Sequence, residues 1–184
     1  METMFVSALV VTLAEMGDKT QLLSFVLAAK LRGKASIIAG ILFATLGNHF
    51  LAGSIGTWLA GLMAPATLKW IIAISFFVFA GWVLRPDQLE GDRSLRNAGV
   101  FLTTFIAFFL VEMGDKTQLA TVALAARYES LTAVVLGTTF GMMLANVPAV
   151  WMGEALAQRV NLKGLRWGAA ALFVVLGFLT LMTG

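Results

Sequence analysis

The 184-residue chain has no cysteine and a single histidine, His49. The missing cysteine excludes disulfides, thiolate metal sites and cysteine nucleophiles. Charge is scarce too, at 12% of residues against 59% hydrophobic, and the mean hydropathy is +0.89. A soluble domain of this size cannot hide that much apolar surface, so the composition predicts an integral membrane protein. Little chain remains outside the apolar stretches, which leaves no room for a soluble catalytic domain. The net charge of +3 comes from basic residues spread over loops. Membrane topology accounts for them, and no nucleic-acid partner is implied. The run from Phe5 to Ala14 has neither a basic flank before it nor a small-residue cleavage pattern after it, and reads as a retained first helix.

The apolar stretches predict an all-α integral membrane fold of six transmembrane helices, at about 20 residues per crossing. Their expected spans are Phe5–Ala29, Ala35–Leu62, Leu68–Leu84, Ala98–Ala126, Leu131–Ala157 and Leu165–Met182. In the second, Gly40 and Ala44, Ala52 and Gly56, and Gly56 and Ala60 each stand four apart, a spacing that lets backbones approach and suits an interior helix. The third, with Phe76, Phe77 and Phe79, reads as a helix facing lipid. The fifth contains Pro148, which removes a backbone donor and can kink the helix. Residues 85–97 hold Pro86, Gly91 and charges of both signs, and form the one clear linker. It separates a first repeat, 1–84, from a second, 98–184.

What the chain does contain is one charged cassette written twice. Glu15-Met16-Gly17-Asp18-Lys19-Thr20-Gln21-Leu22 returns unchanged as Glu112 to Leu119, a shift of 97 that also brings Gly40 onto Gly137 and Gly56 onto Gly153. Three crossings per half is an odd number, so the halves enter the membrane in opposite senses, as two inverted three-helix repeats. Loop charges agree. Lys30, Arg32, Lys34, Arg85, Arg93, Arg96, Arg159, Lys163 and Arg166 fall on one side, and Lys69 and Arg127 on the other. The positive-inside rule makes the first side cytoplasmic, with both termini on the non-cytoplasmic side of the cell inner membrane. The linker acids Asp87, Glu90 and Asp92 weigh little in that rule.

Ionisable groups inside a membrane helix are costly, which makes both cassettes candidates for function. On a continuous helix Glu15, Asp18 and Lys19 share one arc bordered by Gln21, and Glu112, Asp115, Lys116 and Gln118 share its counterpart. Antiparallel halves let the two faces meet near the midplane. Four acids and two lysines sum to minus two, which a divalent cation or two protons would balance. Carboxylate, amide and carbonyl oxygens suit hard ions such as calcium, magnesium and manganese rather than zinc or copper. Gly17 and Gly114 offer places where the helices can break and expose carbonyls. Asn48, His49 and, at the repeat-equivalent position of His49, Asn146 are candidates to line the pathway or to hydrogen-bond between helices. The structural alternative is that Glu15 with Lys19, and Glu112 with Lys116, form ion pairs within one helix, leaving Asp18 and Asp115 without partners. Glu154 reads as an interfacial group and the nine methionines as packing residues.

The doubled Glu-x-Gly-Asp-Lys-Thr, one copy per half, closely resembles the motif of the Golgi-type manganese/calcium:proton exchanger family, formerly an uncharacterised protein family. The resemblance covers essentially the whole chain, and both cassettes match the motif without departure. It implies a six-helix transporter, not an enzyme, whose cation site is formed by Glu15, Asp18, Glu112 and Asp115. Thr20, Thr117, Gln21 and Gln118 are auxiliary oxygen donors in this reading, with Lys19 and Lys116 beside them. No prosthetic group is expected. The partners are the transported cation, manganese first and calcium second, protons as coupling ion, and the lipid bilayer; a homo-oligomer is compatible with this plan. The other function classes are a small-metabolite exporter of similar inverted plan, and a membrane scaffold or enzyme, for which His49 alone is a weak catalyst.

Overall fold

The computed structural model describes residues 1–85, 99–152 and 162–182, and these form eight α-helices. They are α1 (Glu2–Glu15), α2 (Lys19–Lys30), α3 (Lys34–Leu62), α4 (Pro65–Val83), α5 (Gly99–Glu112), α6 (Lys116–Tyr128), α7 (Leu131–Met152) and α8 (Leu162–Met182). By length and apolar composition α3, α4 and α7 can each cross a membrane. Large apolar side chains stand exposed along several of the helices, among them Phe43, Phe50, Ile74, Val78, Phe140 and Phe178. Trp58, Trp70, Trp151 and Trp167 are exposed near helix ends, where membrane–water interfaces favour tryptophan. The chain is a multi-pass membrane protein.

The first and fourth expected helices are each two helices. The chain leaves the helix at Met16 and re-enters at Lys19, and it does the same between Glu112 and Lys116. Gly17 and Gly114 occupy the left-handed region at φ 82° and 76°, which glycine enters without the steric penalty of a Cβ. The expectation of a continuous helical arc through each cassette is therefore corrected, and the break that the glycines allow is the form adopted.

Packing follows the sequence shift of 97. Helix α1 lies on α7 as α5 lies on α3, and α2 on α7 as α6 on α3. The matched glycines hold matched contacts. A Cβ on Gly40 would stand 2.7 Å from Thr104 Cβ and 2.9 Å from the Phe101 carbonyl, while one on Gly137 would strike the Met4 carbonyl and lie 2.9 Å from Ser7 Cβ. Met4 and Ser7 shifted by 97 are Phe101 and Thr104. Helix α3 buries the face of Ile37, Gly40, Ile41, Ala44, Asn48, His49 and Gly56 and exposes the opposite one, so it is half interior.

Helix α4 differs from expectation. Phe76 and Phe79 are buried, at 6.2 and 5.8 Å from the ring of Phe173 on α8, and only the other face, with Ile71, Ile74 and Val78, is exposed. Two adjacent apolar helices bury aromatic area against each other, and composition alone does not reveal which face does so. Helix α7 continues through Pro148. Asp87, Glu90, Asp92, Arg93, Arg96, Gly153, Glu154, Arg159 and the expected end of the fifth helix lie outside the described residues.

Candidate cation site between the two cassettes

Each break is held by the same local bonds. The freed Gly17 N–H donates to Gln21 Oε1 at 2.8 Å, and the Gly114 N–H to Gln118 Oε1 at 2.7 Å. Asp18 and Asp115 have extended backbones as the N-caps of α2 and α6, and their carbonyls accept from Leu22 and Leu119 to start the new helices. Helices α1 and α5 thus end, and α2 and α6 begin, inside the cassettes. Their C-terminal ends carry the partial negative charge that favours a cation, and their N-terminal ends the positive charge that favours the capping aspartates.

The four acids are all buried. Glu15, Glu112 and Asp115 each bring one carboxylate oxygen within 4.8 Å of the others. Thr20 donates to Glu15 Oε2, and Thr117 donates to Glu112 Oε2 at 3.3 Å. The second oxygens, Oε1 of Glu15 and Oε1 of Glu112, have no hydrogen-bond partner among the described residues. Buried carboxylate oxygens without donors are expensive unless an ion or proton meets them, and hard oxygen donors in a cluster of this size suit a small divalent cation.

The lysines are placed differently from the within-helix alternative. Lys19 Nζ lies 2.8 Å from Asp115 Oδ1, and Lys116 Nζ lies 2.9 Å from Asp18 Oδ1. Each cassette therefore neutralises the aspartate of the other, and the expectation that Asp18 and Asp115 lack protein partners is overturned. The cause is the break. Removing regular helix between Glu15 and Lys19 abolishes the i, i+4 geometry that would pair them.

The pathway candidates divide. Gln21 Nε2 donates to the Ala145 carbonyl at 2.9 Å, and Gln118 Nε2 to Asn48 Oδ1 at 3.4 Å, two bonds related by the shift of 97. Asn48 Nδ2 also donates to the Phe109 carbonyl, and Asn146 Oδ1 accepts from Ser24 at 2.7 Å. These are interhelical bonds. His49 is fully buried and neither ring nitrogen has a hydrogen-bond partner among the described residues. The expectation of a simple interhelical bond from His49 is not met.

Two contributors escaped the sequence reading. Ser24 passes for a small residue in an apolar run. Arg166, counted only as a topological charge, donates from Nη2 to the Gly17 carbonyl at 3.0 Å. The signal for Ser24 lies in its spacing, since it sits one turn beyond Gln21.

Comparison with known proteins identifies the family. The profile of the family described as "Divalent cation/proton antiporter GDT1" matches residues 3–91 and 100–184. A Vibrio cholerae serotype O1 protein named "Putative manganese exporter" is 46% identical over 181 residues, covering 98% of this chain and 90% of that protein. "GDT1-like protein 5" of Arabidopsis thaliana is 27% identical over 219 residues, covering 97% and 95%. No solved structure matches. With a family profile and a 46% identical relative each matching nearly its whole length, the chain belongs to the GDT1 family of divalent cation/proton antiporters.

Proposed function

We propose that this protein exports a hard divalent cation, manganese in preference to calcium, from the cytoplasm by alternating access in exchange for protons. The observation that carries the reading is the convergence of Glu15, Glu112 and Asp115 from both cassettes, with one oxygen on each glutamate that has no hydrogen-bond partner among the described residues. Asp18 completes the ligand set when the site faces the other side. Thr20, Thr117, Gln21 and Gln118 orient the acids and the broken backbone.

In this reading 1–84 and 98–184 are inverted three-helix repeats joined by the cytoplasmic linker 85–97. Helices α1 with α2, and α5 with α6, each make one discontinuous crossing. At 14 and 12 residues, α1 and α2 are separately short of the about 20 that a crossing needs. Six crossings then leave both termini outside the inner membrane. Four carboxylates and two ammonium groups sum to minus two, so one divalent cation or two protons neutralise the site, and the two loads exclude each other. The manganese preference follows the name of the Vibrio relative.

The test is a proteoliposome flux assay comparing manganese, calcium and magnesium under an imposed proton gradient. Manganese flux that follows the gradient is expected, and Asp18→Asn or Asp115→Asn should abolish it. Flux that survives both substitutions would sink the assignment.

A further inference from the structure

The cation-binding reading leaves the two lysines without a task. Each ammonium sits on the aspartate of the opposite cassette, at 2.8 and 2.9 Å, and the two pairs are unequal. The Lys19 side chain is 22% exposed and that of Lys116 5%, while both aspartates are buried. Asp115, the partner of Lys19, belongs to the converging group with Glu15 and Glu112. A lone pair that accepts an ammonium proton cannot also coordinate a metal ion. Each aspartate keeps further lone pairs, but the ammonium on its Oδ1 draws on the same negative charge, so full engagement by a cation is opposed until the lysine yields.

We propose that Lys19 and Lys116 are tethered cations that compete with the transported ion for Asp115 and Asp18, Lys19 yielding first. The proposal rests on the transport reading above. A buried cage of four carboxylates with no competitor holds a hard divalent ion too firmly for rapid release. An ammonium returning to its aspartate lowers the affinity at release and keeps the vacated carboxylate from standing uncompensated in an apolar interior. Lysine suits this task because its charge is compact, its stem flexible and its three donors rotatable. Lys19 moves first because its partial exposure lets water hydrate the departing ammonium, a compensation that the enclosed Lys116 lacks.

The test combines equilibrium binding, read as loss of the free-ion manganese electron-spin-resonance signal on purified protein, with manganese flux in proteoliposomes. Lys19→Met and Lys116→Met should bind manganese about tenfold tighter and transport it about tenfold more slowly. A lysine that merely braces the fold would lower binding and flux together. Lys19→Arg, which keeps the charge, should return the affinity toward the wild-type value, and Asp115→Asn should weaken binding more than Asp18→Asn. Should Lys116→Met fail to fold because Asp18 is left buried without its ammonium, the paired Asp18→Asn/Lys116→Met variant removes both charges. It should still bind manganese through Glu15, Glu112 and Asp115 but not transport it. Unchanged or weaker affinity in folded Lys19→Met overturns the proposal, whereas transport by the paired variant refutes the need for Asp18 in the transport reading. Wild-type protein that neither binds nor moves manganese refutes the transport reading itself, and the proposal with it.

Discussion

Lys116 Nζ stands 2.9 Å from Asp18 Oδ1 with both side chains almost fully enclosed, so the lysine of the second cassette neutralises the aspartate of the first. Together with Lys19 on Asp115, it makes the two halves electrostatically dependent on each other. Neither cassette is complete alone.

Removing one partner of that pair should cost more stability than removing both. Lys116→Met leaves a buried carboxylate uncompensated, at a cost of about 3–5 kcal/mol, whereas a paired neutral replacement of a buried ion pair is often close to neutral. Thermal unfolding of Lys116→Met, Asp18→Asn and the double variant in detergent checks this. Additive losses would mean that the two groups do not interact.

The backbone breaks predict a ranking at Gly17 and Gly114. Both have positive φ, so alanine should destabilise by about 1–2 kcal/mol, and asparagine, which tolerates the left-handed region better, by less. Flux should fall in the same order, because the breaks position the acids. Equal effects of alanine and asparagine in the melting and flux measurements would argue against a conformational cause.

At Gly137 the demand is for space. A methyl group there meets the Met4 carbonyl and Ser7, and Gly137→Ala should push α1 from α7 at about 1–3 kcal/mol. Gly61 and Gly81 have open space around them, and alanine at either should leave the melting temperature unchanged or slightly raised. The comparison of the three variants separates a packing clash from a general effect of losing glycine.

His49 predicts the opposite sign. Its two ring nitrogens are buried without hydrogen-bond partners among the described residues, and an unsatisfied buried polar group costs about 1–3 kcal/mol. His49→Phe, apolar and of similar shape, should therefore melt at the same or a higher temperature than wild type. A lower melting temperature would reveal a partner that holds the imidazole.

Arg166 links α8 to the first break. Its hydrogen bond to the Gly17 carbonyl carries a charge, and Arg166→Ala should cost about 1.5–3 kcal/mol, with partial recovery by lysine. Equal flux in the alanine and wild-type proteins would show that this tie does not position the cassette.

Much of the protein was legible in its residues. Scarce charge, high hydropathy and the doubled cassette led to a multi-pass helical membrane protein and to its family. The shift of 97 correctly paired Gly40 with Gly137, since both contacts recur in space. Less legible was the outward face of α4, because Phe76, Phe77 and Phe79 have the same apolar character whether they meet lipid or Phe173. The partners of Asp18 and Asp115 are not legible in the residues, since they come from the opposite cassette and the within-helix spacing of Glu15 and Lys19 supposes a helix that does not continue.

Residue types and their order determined by themselves that the chain enters a membrane and that two acidic cassettes recur within it, because hydropathy and repetition are properties of the sequence alone. Tertiary structure decided which charge neutralises which. At Gly17 and Gly114 a continuous helix and a broken one are both available to the backbone. The break is adopted where it brings Glu15, Glu112 and Asp115 together and sets each lysine on the opposite aspartate. Those contacts join residues about a hundred positions apart, and no local rule of spacing contains them.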